Sequence, residues 1–179
     1  MLENVRFALI ITSDRAADGR REDATAPLLK SAIVQARGIC AETIVIPDDP
    51  GRLREQLLRL SNMTEADVIL TSGGTGIGPR DITVDVTRAL IEKELPGFGE
   101  EMRRRSLEKT PYAILSRATA GILRGKLVLN LPGSPRGAVE CLEWVMRPIA
   151  HAVRILRQPD TDCAPPASIP EGLNVTSRG

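Results

Sequence analysis

The 179 residues, 42% of them hydrophobic and 26% charged, suffice for one domain with a real core. A net charge of +1 argues against general attraction to nucleic acid or a membrane surface, and 2% aromatic residues removes the stacking platforms of single-strand binders. No run of about 18 apolar residues exists, so no membrane span is expected, and Met1 to Arg6 lacks the basic region and cleavage site of a signal peptide.

The first apolar run, Phe7 to Ile11, reads as a strand, followed by Ser13-Asp14-Arg15 and a polar loop to about Asp23. Ala24 to Arg37 reads as a helix, with Pro27 in its first turn and Gly38 closing it. Glu42 to Ile46 is β-branched and predicts a second strand, stopped by Pro47-Asp48-Asp49-Pro50. Leu53, Leu57 and Leu58 mark an amphipathic helix, and Val68 to Leu70 is a third, buried strand. This strand–helix alternation predicts a doubly wound α/β domain: three layers, with helices on both faces of a mostly parallel twisted sheet.

After the third strand comes Ser72-Gly73-Gly74-Thr75-Gly76-Ile77-Gly78-Pro79-Arg80-Asp81. Four glycines between residues 73 and 78 exclude helix and sheet and permit close backbone approach to a ligand. Thr83 is expected to cap the following helix, Val84 to Ile91, whose inward face would be Val86, Ala89 and Leu90. A strand, a glycine loop and a helix start present backbone N–H groups to an anion. Arg80 adds positive charge, and Asp81 suits a phosphate that carries a magnesium ion. The loop lacks the lysine of a P-loop, and Pro79 stands where a dinucleotide fingerprint needs glycine.

Downstream, Glu100 to Lys109 reads as a helix whose run Arg103-Arg104-Arg105 forms a solvated face. Ala113-Ile114-Leu115 fits strand or helix, and Gly121 and Gly125 flank a turn. Lys126 to Leu131 is a strand leading into Pro132-Gly133-Ser134-Pro135, where Ser134 as N-cap and Pro135 at the first helical position start a long helix. Its core stripe is Val139, Leu142, Met146, Ile149, Val153 and Leu156; Trp144 lies off it, and Pro148 should kink or split the helix. The expected domain covers residues 1–158, followed by a flexible tail from Pro159 to Gly179.

Cys40, Cys141 and Cys163 are odd in number, contain no Cys-x-x-Cys pair and read as reduced thiols of a cytoplasmic protein. His151, the sole histidine, lies in an apolar helical stretch and reads as structural, which argues against a zinc site or a Ser-His-Asp mechanism. Chemistry must then rest on carboxylates, a bound metal and backbone dipoles. In a parallel sheet the groups following the strands, namely Ser13 to Arg15, Asp48 and Asp49, Ser72 to Asp81, and Pro132 to Ser134, would share one rim. Asp48 and Asp81 are then the natural magnesium pair, completed by substrate phosphates, and the implied chemistry is phosphoryl or nucleotidyl transfer.

From about Val5 to Arg157 the chain resembles the molybdopterin adenylyltransferase family, which comprises bacterial MogA-type proteins and the G domains of gephyrin and its plant relatives. The resemblance rests on Ser13-Asp14-Arg15, Ile46-Pro47-Asp48, Thr71 to Gly76, Pro79 to Thr83, Pro96 to Glu100, Ala113 to Arg117 and Asn130 to Pro135, in that order. It implies that ATP and magnesium are used to adenylate the terminal phosphate of molybdopterin, with release of pyrophosphate. It also implies the molybdenum cofactor biosynthesis protein-like fold, a homotrimer, and handover of product to a molybdate-inserting transferase. By this resemblance Asp48 and Asp81 are the catalytic carboxylates and metal ligands. Ser13, Asp14, Ser72, Gly73, Gly74, Thr75, Gly76, Ser116, Pro132, Gly133 and Ser134 bind substrate, and Arg80 and Arg117 face anionic oxygens. Asp85, one helical turn beyond Asp81, is expected to matter far less. Val84 replaces a proline frequent in relatives. The alternative is a non-catalytic molybdopterin-binding MoaB-type paralogue, against which the presence of both Asp48 and Asp81 argues. A molybdate-inserting transferase would need further domains, and the competence-inducible type carries leucine where Thr75 stands.

Overall fold

Six strands form one sheet: β1 (Arg6–Thr12), β2 (Ile39–Ile46), β3 (Val68–Ser72), β4 (Lys93–Glu94), β5 (Ala120–Leu123) and β6 (Lys126–Leu131), in the spatial order β2-β1-β3-β6-β5-β4. The computed structural model describes residues 2–20, 22–63 and 65–158. The expected tail, Pro159 to Gly179 with Cys163, lies outside the described residues. β2, β1, β3 and β6 run parallel, whereas β5 is antiparallel to both its neighbours. The sheet is therefore mostly parallel, as the strand–helix alternation predicts.

The helices are α1 (Asp14–Ala17), α2 (Thr25–Gln35), α3 (Pro50–Ser61), α4 (Thr83–Arg88), α5 (Pro96–Leu107) and α6 (Pro135–Arg157). Alternation along β1 divides the core. Phe7, Leu9 and Ile11 face α2, α5 and α6, while Ala8 and Ile10 face α3 and α4. Leu53, Leu57 and Leu60 line one face of α3 and are fully buried, each contributing about 1.5–3 kcal/mol. Asp49 caps that helix, accepting from the Arg52 N–H at 2.7 Å, with Pro50 in the first turn. Among the described residues no helix is long and apolar enough to cross a membrane.

Several local expectations change. The polar loop after β1 contains the one-turn α1, capped by Ser13. The left-handed residue closing α2 is Arg37 (φ 67°), not Gly38; a Cβ on Gly38 would stand 2.8 Å from the Ile33 side chain. Thr83 lies inside α4 rather than capping it, and Ile82 holds the cap position. The inward side chains of α4 are Thr83, Val84 and Thr87, with Val86 and Leu90 half-buried and Ala89 exposed. α5 starts at Pro96, so Gly97 and Gly99 are helical. Residues Pro111–Leu115 form a 3₁₀ turn, and β5 and β6 make a hairpin through Arg124 and Gly125, whose φ values of 50° and 74° suit a tight two-residue turn. Gly121 belongs to β5.

α6 runs unbroken through Pro148, so that residue does not split it. Its buried face adds Ala138, Cys141 and Val145 to the expected stripe, of which Val139 and Leu156 are only half-buried. Trp144 lies beneath two cations, Arg105 at 5.8 Å and Lys109 at 5.2 Å from the ring centre. Arg104 and Arg105 pair with Glu101, as a solvated face should, but Arg103 turns to the Ser116 and Ala118 carbonyls.

Candidate active site

β3 is flanked by β1 and β6, and both of those strands feed helices on the face of α2 and α6. β3 instead feeds α4, on the opposite face. The chain therefore diverges on both sides of β3 at the carboxyl ends of the strands, a topological switch point where open α/β sheets bind ligands. Backbone meets backbone there. Gly73 has φ +110°, and a Cβ on it would stand 2.3 Å from the Thr12 carbonyl oxygen. A Cβ on Gly133 would stand 3.2 Å from the Gly73 Cα. The Ser72 hydroxyl ties β3 to the β6 loop by donating to the Pro132 carbonyl at 2.7 Å.

Beneath this junction runs a buried polar ladder. The Thr12 and Thr83 hydroxyls lie 3.4 Å apart, and the Asn130 amide donates to Thr71 and Thr87, each at 2.9 Å. The Thr83 hydroxyl expected to cap α4 thus joins it to β1. The Asn130 Oδ1 is fully buried without a partner.

A cleft of about 90 Å³ opens at the junction, lined by Thr12, Ser13, Ser72 and Gly133 together with Glu22, Asp23, Ala24 and Thr25. Sequence reasoning did not nominate the last four. Their one sequence signal was Asp23 two residues before Thr25: the carboxylate accepts from the Thr25 N–H at 2.8 Å at the head of α2.

Beside the cleft the acidic residues converge. Asp14 and Asp48 exchange backbone-to-carboxylate bonds, Asp14 N to Asp48 Oδ2 at 3.2 Å and Asp48 N to Asp14 Oδ1 at 3.1 Å. Arg80 reaches across from the glycine loop to Asp14 at 2.7 Å and to the Asp48 carbonyl at 3.3 Å. Asp81 folds back on its own loop, accepting from the Gly78 N–H at 2.7 Å. Partial burial raises the Asp48 pKa; the Asp14 N–H opposes this, and the negative charges of Asp14 and Asp81 add to it. Among the described residues no three His, Cys, Asp or Glu side chains are grouped to hold a metal by themselves.

The other expected site residues have mostly structural partners. Ser13 caps α1, Thr75 is buried with its carbonyl accepting from the Arg117 N–H, and Ser116 accepts from the Ala118 N–H. Ser134 occupies the cap position of α6 without a side-chain capping bond. A Cβ on Gly74 would meet the Thr83 hydroxyl, and one on Gly76 the Asp81 carboxylate. Arg117 is engaged within the chain. It donates to the Gly76 carbonyl at 2.7 Å, to the Asp81 carbonyl, and with two nitrogens to Asp85 at 2.8 and 3.0 Å. This bidentate bond lowers the Asp85 pKa and raises that of Arg117. His151 is exposed beside Arg154, and Cys40 and Cys141 are free thiols outside the cleft lining.

A family profile described as a probable molybdopterin binding domain matches residues 8–152. The chain belongs to this molybdopterin-binding domain family. Among its relatives, the molybdopterin adenylyltransferase of Escherichia coli K12 is 35% identical over 178 residues, covering 92% of this chain and 91% of the relative. The molybdopterin adenylyltransferase of Haemophilus influenzae is 41% identical over 143 residues, covering 79% and 73%. Among solved structures, the molybdopterin biosynthesis enzyme MoaB of Thermus thermophilus superposes with a TM-score of 0.80 at 39% identity, covering 85% of this chain and 96% of that one.

Proposed function

We propose that this protein is a molybdopterin adenylyltransferase of molybdenum cofactor biosynthesis, with its reacting groups on the rim at the carboxyl ends of β1, β2, β3 and β6. The reading is supported by its 35% identical relative of that name. The observation that carries the assignment of the site is the meeting of Asp14, Asp48 and Arg80 beside the loop that bears Asp81. A terminal phosphate oxygen of molybdopterin attacks the α-phosphorus of ATP; the new P–O bond forms as the bond to the leaving pyrophosphate breaks.

Each group has a defined task. The glycine loop from Ser72 to Gly76 and the turn Pro132-Gly133-Ser134 provide walls and backbone donors for phosphate and pterin. Arg80, with its side chain 65% exposed, keeps a guanidinium at the rim for anionic oxygens. Asp48 and Asp81 supply hard oxygen donors without a closed protein cage, which suits magnesium shared with substrate phosphates. Bound there, magnesium would neutralise phosphate charge. Burial raises the Asp48 pKa, the Asp14 N–H and the Arg80 charge pull it down, and the charges of Asp14 and Asp81 add to the rise.

The same reading places the domain at residues 1–158 in the cytoplasm, as a homotrimer that passes its product to a molybdate-inserting transferase. Tyr112 and Ile114, 77% and 70% exposed on the 3₁₀ turn, offer apolar surface for subunit contact. Incubation with molybdopterin, ATP and magnesium tests the activity. Adenylylated molybdopterin and pyrophosphate should appear in equal amounts; molybdopterin binding without either product would refute the assignment.

A further inference from the structure

We propose that Arg117 is a positioning residue for Asp81, acting with Asp85 as a clamp on the glycine loop rather than as a substrate ligand. The inference rests on the role given to Asp81 above. Four of the five guanidinium donors are engaged within the chain, on the Gly76 carbonyl, the Asp81 carbonyl and both Asp85 oxygens. The Arg117 backbone N–H adds a bond to the Thr75 carbonyl at 2.9 Å. These contacts bracket residues 76–81, the segment that carries Arg80 and Asp81 to the acidic rim.

The clamp has a clear physical need. Gly76 and Gly78 leave the segment without side chains to pack, and Ile77 is 68% exposed, so the loop has little core contact to hold it. Asp81 is joined to the segment by the Gly78 N–H, so a shift of that turn moves its carboxylate. A planar fork bridging a carbonyl before the turn, a carbonyl after it and a helix carboxylate fixes both ends at once. Arg80 differs: it holds the Asp14 carboxylate and the Asp48 carbonyl through one terminal nitrogen and keeps its side chain 65% exposed. The two arginines therefore divide the work, one on the substrate side and one behind the loop.

The test is a cycle in full-length protein: Arg117→Met, Asp85→Asn and Asp81→Asn singly, and Arg117→Met combined with each of the other two. Rates are measured at saturating and limiting ATP and molybdopterin. Arg117→Met should lower kcat by about tenfold to hundredfold, the scale of a small misplacement of a reacting group. Both KM values should stay within about threefold, because no uniform binding contact is removed. Asp85→Asn should reproduce the loss in milder form, and combining it with Arg117→Met should cost no more than Arg117→Met alone. In the Asp81→Asn background Arg117→Met should change the rate less than about threefold, a dependence that mere structural support would not show. A tenfold rise in either KM, or a further tenfold loss in that background, would overturn the clamp while leaving the role of Asp81 intact. Near-normal activity of Asp81→Asn alone would overturn both. Should Arg117→Met fail to fold, Asp85→Asn alone and combined with Asp81→Asn gives the same comparison.

Discussion

The junction of β1, β3 and β6 predicts a graded response to adding one methyl group. At Gly73 a Cβ would stand 2.3 Å from the Thr12 carbonyl oxygen and 2.5 Å from its hydroxyl, on backbone at φ +110°. Thr12 is paired with Ile46 in the sheet and cannot step aside cheaply. Overpacking costs about 1–3 kcal/mol, and the backbone strain adds about 1–3 kcal/mol. Gly73→Ala should therefore cost about 3–5 kcal/mol, much of a typical stability of about 5–15 kcal/mol. Gly125→Ala shares the positive φ, at +74°, but meets open space, so it should cost only about 1–2 kcal/mol. Gly97→Ala, in α5 with nothing within 4 Å, should gain about 0.5–1 kcal/mol. Thermal melts followed by circular dichroism should drop by roughly 6–20 °C for Gly73→Ala at about 2–4 °C per kcal/mol. Gly73→Ala melting no lower than Gly125→Ala would refute the close-approach argument.

Asn130→Ala removes both amide donors of the buried ladder and leaves the Thr71 and Thr87 hydroxyls to re-pair in a cavity; urea titration should show a loss of about 2–5 kcal/mol. Glu101 is held down to about 2 by bonds from Arg104 and then Arg105. A depressed folded pKa gives stability that is full above the ordinary value of 4.5 and is lost as pH falls toward 2. Melts of Glu101→Gln should then differ from the parent protein at pH 7, by under about 1 kcal/mol for a half-exposed surface pair, and converge with it near pH 2. Replacing Cys40, Cys141 and Cys163 together by alanine should keep turnover within about threefold, with any stability loss traced to buried Cys141.

Much of the site was legible because strands with continuous apolar runs must be buried on both faces, and their following polar residues then share a rim. Ser13, Ser72 and Gly133 line one cleft, and Asp48 is bonded to Asp14 next to Ser13. The strands that escaped notice, β4 and β5, are two and four residues long, and their pairing depends on distant chain rather than on local pattern. The start of α5 was hidden by Gly97 and Gly99. Gly99 is explained only by a tertiary neighbour, since a Cβ there would stand 2.2 Å from the Ala118 carbonyl oxygen. The same holds for Thr83 and Arg117. Their residue types suggest a cap and an anion ligand, and their bonds to Thr12 and Asp85, remote in sequence, carry no local signal.

In the proposed mechanism, carboxylates on this rim carry adenylyl transfer while the loops bind molybdopterin. Its most direct test compares product formation with molybdopterin binding in Asp81→Asn and Asp48→Asn. Each change keeps shape and removes charge. Adenylation should fall by about a hundredfold or more, since losing one charged group from a transition-state cluster costs roughly 3 kcal/mol, while the Kd for molybdopterin stays within about threefold. Adenylation near the parent rate in either variant, or a binding loss that matches the rate loss, would rule this mechanism out.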